Sequence, residues 1–181
     1  MENRRKFLKY CFVALGSCVA MPSWALKLNR KKKESSQISL GKKERCPVCG
    51  MFVKPYPKWI TQMQFKDKSH HSFDGMKCFA KFYFNPEQYD HTKNKADFDA
   101  LWVRDYYTLH FIRHDHAHYV VGSDVLGPMG HELIPFKDKK SAEIFFNDHH
   151  GVQIVPFERI TPALLVKLDN ARKTIRLEDL Q

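Results

Sequence analysis

Two stretches of this chain repeat each other, and that repeat limits the folds open to it. Lys77-Cys78-Phe79-Ala80-Lys81-Phe82-Tyr83-Phe84-Asn85 aligns, with one gap, on Lys140-Ser141-Ala142-Glu143-Ile144-Phe145-Phe146-Asn147. The flanks agree as well. Residues 59–65 alternate inward and outward as a strand does, Lys66-Asp67-Lys68 reads as a turn, and residues 70–73 read as the returning strand. Helical periodicity takes over at residues 74–84, with Asp74 as the expected N-cap and Asn85-Pro86 as the stop. A polar loop then leads to a strand at Leu101-Trp102-Val103. The second copy has strands at 118–121 and 132–136, a helix at 139–147 capped by Asp138, and a strand at 152–157 after Gly151. This order predicts an α+β fold: two similar strand-strand-helix-strand units, about 46–106 and 115–157, packed as one domain. A pseudo-twofold between the units would bring the loops carrying Gly50-Met51 and Pro128-Met129 toward each other. A last helix at 161–168, with Thr161 as N-cap and Pro162 in the first turn, opens a C-terminal segment of 158–181.

The chemistry concentrates in Cys46-Pro47-Val48-Cys49-Gly50-Met51, which places two thiols and a thioether within six residues. Soft sulfur ligands select soft ions such as Cu(I) or Zn(II), and the thioether tilts the choice to Cu(I). Cys49 and Met51 point at one ion if Gly50 bends the loop. Met129, framed by Gly127, Pro128 and Gly130, is the third candidate ligand. Cys46 is open to three roles: a further ligand, a transient acceptor in copper exchange, or half of a disulfide with Cys49. Cys78 lies on the apolar side of its helix beside Phe79 and Phe82 and reads as core, and Asp74 reads as a cap. Of ten histidines, His114, His116 and His118 would share one strand face and form a candidate second metal site; exposed polar positions are the plainer reading. His131 adjoins the Pro-Met-Gly loop as a candidate nitrogen ligand.

Residues 1–25 read as an export signal. Asn3-Arg4-Arg5-Lys6-Phe7-Leu8-Lys9 resembles a twin-arginine signal, with Asn3 in place of the usual Ser or Thr. The apolar run at 10–21 is about half the ~20 residues that a membrane-spanning helix needs, and suits a signal's apolar region. Two processing points compete: cleavage after Ala25, or lipidation of Cys18 at the lipobox-like Leu15-Gly16-Ser17-Cys18. Either implies a periplasmic protein, membrane-anchored in the second case. The formal charge of +10 argues weakly for nucleic acid, because the cations crowd residues 26–45. Lys27, Arg30, Lys31, Lys32, Lys33, Lys42, Lys43 and Arg45 face Glu34 and Glu44 alone there. That segment reads as a disordered basic tether, and an exported protein meets no nucleic acid. Contact with a membrane would come through a lipid anchor or through attraction of the tether to an anionic surface. Loss of Cys11 and Cys18 with the signal leaves Cys46, Cys49 and Cys78, an odd count that a purely structural disulfide reading does not absorb.

Taken in order, the motifs resemble those of the NosL family, copper-binding accessory proteins of nitrous oxide reductase assembly. The resemblance covers residues 46–157. It runs through Cys46-x-x-Cys49-Gly50-Met51, Phe73-Asp74-x-x-x-Cys78, Trp102-Val103-x-Asp105-Tyr106, Ala117-x-Tyr119-Val120-x-Gly122-Ser123, Pro128-Met129-Gly130-x-Glu132, Pro135-Phe136, Gly151 and Phe157. The first half is also similar to the shorter heavy-metal-binding YHS motif, but Asp74 stands where that motif has a cysteine. The resemblance implies a non-enzymatic Cu(I) carrier that hands copper to the catalytic copper centre of the reductase. It also implies a fold of two strand-strand-helix-strand units related to the metal-handling part of organomercurial lyase, and it favours a lipoprotein. Two other functions fit parts of the pattern. One is a thiol-disulfide oxidoreductase using Cys46-x-x-Cys49. The other is a structural zinc module using Cys46, Cys49, Cys78 and a His. No nucleophile elbow, phosphate-binding glycine loop or H-E-x-x-H is present to support hydrolysis.

Overall fold

The first unit folds as β1 (Thr61–Phe65), β2 (His70–Phe73), α1 (Met76–Phe84) and β3 (Phe98–Arg104). The second folds as β5 (His118–Gly127), β6 (Gly130–Phe136), α3 (Lys139–Asp148) and β7 (Gln153–Pro156). These bounds come from a computed structural model that describes residues 38–171 together with Ile175, Arg176 and Glu178. Residues 1–25, read above as an export signal and including Cys18, and most of the basic segment therefore lie outside the described residues. With β4 (Phe111–Arg113), the sheets are antiparallel throughout, ordered β2-β1-β3-β4 and β6-β5-β7. In both, the first strand of the unit is flanked by its hairpin partner and by the strand that follows the helix, so the sequence repeat is a repeat of connectivity. The α+β expectation holds. A short α2 (Pro86–Tyr89) and α4 (Pro162–Asn170) complete the α-helices and strands of the described residues. The segment 38–45 is tied to the domain: Gln62 Nε2 donates to the Ile38 carbonyl at 2.9 Å, and Arg45 pairs with Phe52 in an isolated bridge.

The second sheet is covered on both faces, which is why Tyr119, Val120 and Val121 are all fully buried. Tyr119, Val121 and Leu133 join the main core, built from Met63, Phe65, Phe73, Phe79 and Phe82 of the first unit and Leu164, Leu165 and Leu168 of α4. Val120, Ile134 and Phe136 face the other way, onto Ala142 and Phe145 of α3. Each such side chain contributes about 1.5–3 kcal/mol by leaving water.

Two expectations are corrected. Asp74 does not cap α1: the cap position falls one residue later, on Gly75, which offers no side chain. The second copy keeps a local cap, with Asp138 accepting from Ser141 N–H at 2.9 Å. In the first copy the acceptor comes from the other unit, as Glu132 Oε2 receives the Lys77 N–H at 2.8 Å. Nor does the histidine run form a strand face. His114–His116 is a turn of 3₁₀ helix, and the buried His114 ring packs edge-on against Phe157 at 4.4 Å.

Glu132 sits in a slot floored by two glycines. A Cβ on Gly75 would lie 2.4 Å from Glu132 Oε1, and one on Gly127 would lie 2.4 Å from Glu132 Cγ. Burial pushes its carboxyl up to about 7, against the opposing pull of the Lys77 N–H and the Lys77 charge. The native state thus binds more protons than the unfolded chain between about pH 4.5 and 7, and stability falls as pH rises through that window. Chemical denaturation should show a loss on the order of 3 kcal/mol across it, flattened in Glu132→Gln; an identical slope in that variant would contradict the assignment. Gly127→Ala should cost ~1–3 kcal/mol by overpacking, and less where Glu132 is already shortened to Ala.

Candidate metal centre

The Cys46–Met51 loop closes on itself. Cys46 N–H donates to the Met51 carbonyl and Gly50 N–H to the Cys46 carbonyl, both at 2.9 Å. Gly50 takes φ +77°, with open space where a side chain would stand, a conformation that L residues resist. Arg45 braces the turn from outside by donating to the Gly50 carbonyl at 2.7 Å, with its guanidinium 3.8 Å above the Phe52 ring. The fold then sets this loop against the first turn of α1. Cys46, Cys49, Asp74 and Cys78 each bring one donor atom into a cluster in which all four atoms lie within 4.8 Å of one another. Asp74 is free to join it because Gly75 holds the cap position.

The cluster is closed on one side and open on the other. Cys46 and Cys78 are 1% and 2% exposed and Asp74 is fully buried, whereas Cys49 is half-buried. Cys49 lines an open pocket of about 350 Å³ with Arg45, Gly50, Met51, Phe52, Pro55 and Tyr56. All three sulfurs are free thiols. Their protons are ordered by hydrogen bonding. Cys78 S–H donates to Cys46, which pulls the Cys46 thiol below its usual value against its burial, with help from the Cys49 backbone N–H. The same bond, together with burial, pushes Cys78 far up. Cys49 donates to Asp74 Oδ1 at 3.2 Å and is pushed up to about 12, chiefly by burial, although the Met51 N–H works the other way. The result is a sulfur-rich pocket in which Cys49 and Cys78 hold their protons while Cys46 gives its own up more readily.

Of the residues singled out from sequence, Cys46 and Cys49 fall in the cluster and Met51 lines its mouth. Cys78 is core, as read, and is also a member of the cluster. Met129 occupies the two-residue turn between β5 and β6, 40% exposed. Its carbonyl accepts from Lys77 Nζ at 2.7 Å, which anchors the turn to the residue preceding Cys78. His131 is buried in β6, paired in register with Leu126. No histidine belongs to the four-donor cluster; its non-sulfur member is Asp74. The i, i+4 spacing of Asp74 and Cys78 was the signal that places both at one end of a helix.

A family model described as NosL matches residues 37–165. Among solved structures, the crystal structure of the copper chaperone NosL from Shewanella denitrificans is similar to this chain at a TM-score of 0.59. The two are 26% identical, over 70% of this chain and 96% of that one. A comparison with curated proteins returned no match.

The thiol ordering has a measurable consequence. With its thiol held near pKa 12, Cys49 of the reduced, metal-free protein should alkylate at pH 8 roughly a hundredfold or more slowly than a free cysteine, as followed by mass spectrometry of iodoacetamide-treated protein. Alkylation at the free-thiol rate would show that neither burial nor Asp74 restrains it.

Proposed function

The chain belongs to the NosL family, and on that premise we propose that it is a copper chaperone, binding one Cu(I) ion and passing it on without catalysis. The observation that carries this reading is Cys49: a half-buried thiol inside a three-thiol cluster, opening on a pocket that Met51 also lines. Thiolates and thioethers prefer Cu(I) over harder ions. We assign the ion to Cys49, Met51 and Met129, with Cys46 as a further ligand. Met129 stands on a hairpin turn that Lys77 fastens to the start of α1, and its exposure gives a partner's ligands a point of entry. A carrier needs such an opening, because copper moves by ligand exchange and never as a free ion.

The family resemblance extends the proposal to the recipient, the catalytic copper centre of nitrous oxide reductase. The N-terminal sequence extends it to the compartment. A twin-arginine signal would deliver the protein to the periplasm, either cleaved after Ala25 or anchored through a lipid on Cys18. Among the described residues no helix is long and apolar enough to cross a membrane.

Anaerobic titration with Cu(I) against a competing chelator should give tight one-to-one binding, weakened at least tenfold in both Cys49→Ser and Met129→Leu. The loaded protein should then restore copper to metal-depleted nitrous oxide reductase. Weak binding together with a reversible Cys46–Cys49 disulfide would replace this reading with a thiol-disulfide oxidoreductase. Tight binding with no transfer would remove the recipient and keep the carrier.

A further inference from the structure

We propose that Cys46, Cys49, Cys78 and Asp74 form a four-donor cage for a divalent ion of the zinc class, sharing Cys46 and Cys49 with the Cu(I) position. The proposal rests on these four side chains alone and stands whether or not copper binds as assigned above.

The spacing suits a tetrahedral ion. With Zn–S bonds of about 2.3 Å, the sulfurs of such a site stand ~3.8 Å apart, and the four donor atoms already lie within 4.8 Å of one another. The cage also offers the full donor set of a structural site, which leaves its ion no open coordination position. Cys46, Cys78 and Asp74 face the interior, and Cys49 alone reaches the pocket through which an ion would enter.

Asp74 decides the class of ion. Its carboxylate is fully buried. Oδ1 accepts from a thiol, and Oδ2 has no hydrogen-bond partner among the described residues. The lysines of α1 do not answer it, because Lys77 and Lys81 pair with Asp169 of α4. A buried carboxylate so poorly compensated is costly unless a cation joins it. Cu(I) is a weak answer: it gains little from a hard oxygen donor, and one positive charge leaves more uncompensated charge among four anionic donors than two do. Zinc accepts carboxylate oxygen alongside thiolate. Because both metals use Cys46 and Cys49, zinc in the cage would withhold Cys49 from copper, and the two ions would exclude each other.

The test is anaerobic titration of the reduced full chain with Co(II) as an optical stand-in for zinc. We expect a thiolate-to-cobalt charge-transfer band and tetrahedral ligand-field bands that saturate at one equivalent and vanish when zinc is added. Cys78→Ser and Asp74→Asn should each weaken Co(II) binding at least tenfold. Met51→Leu and Met129→Leu should leave it within threefold of wild type. Circular dichroism of each variant shows that the fold is kept. If Asp74→Asn fails to fold, the cadmium-NMR resonance of the wild-type protein takes its place, with a shift typical of three thiolates and one oxygen supporting the cage and a shift typical of fewer thiolates overturning it. Absence of tetrahedral bands, unchanged Co(II) affinity in Asp74→Asn, or an equal loss in Met129→Leu would each overturn the cage. Cobalt binding as expected with no Cu(I) binding would keep the cage and remove the copper reading.

Discussion

A carboxylate from one half of this fold caps the helix of the other. Glu132 of β6 accepts the Lys77 N–H at the start of α1, where an acceptor satisfies an orphan donor and meets the positive end of the helix. The contact fixes where α1 begins, and therefore where Cys78 in its first turn faces. Lys77 carries the constraint further: its ammonium holds the Met129 carbonyl and pairs with Asp169 of α4. One helix end thus fastens the Met129 turn, the C-terminal helix and a cluster thiol. Asp105 makes the matching tie at the other junction, accepting from Thr108 N–H with one oxygen and from Lys137 N–H with the other.

The same arrangement explains the chemistry. A helix that carried its cap locally would spend Asp74 or its neighbour on its own backbone. Here Gly75 takes the cap position, Glu132 supplies the acceptor, and Asp74 turns to the thiols. The Cys46–Met51 loop closes from the other side, held by its own hydrogen bonds and by Gly50 at positive φ. Buried thiols behind a half-buried one give a donor set graded from interior to surface. That suits an ion that must be held firmly and still be reachable by a partner.

Much of this was legible in the sequence because the relevant forces are local. Hydrophobic period and turn residues revealed the repeated strand-strand-helix-strand order, and Asp138 and Thr161 were recognisable as caps that do accept from Ser141 and Leu164. The Cys-x-x-Cys-Gly-Met loop announced its own curvature through Gly50. What escaped depends on contacts distant in sequence. Nothing near Asp74 reveals that its capping role passes to Glu132. Cys78 read as core from its helical phase, and it is core; only the docking of the loop makes it a cluster member as well. The alternating histidines had the period of a strand, but packing of His114 among Phe79, Tyr83 and Phe157 turns the chain into a 3₁₀ segment there. The three-residue β4 is too short to show a period.

X-ray absorption at the copper edge of the anaerobically loaded protein tests the central claim most directly, since it reports oxidation state and donor atoms together. The account predicts a Cu(I) edge with a shell made of sulfur alone, supplied by Cys46, Cys49, Met51 and Met129. A Cu(II) edge, or a shell dominated by nitrogen and oxygen, would contradict a chaperone built on these sulfurs.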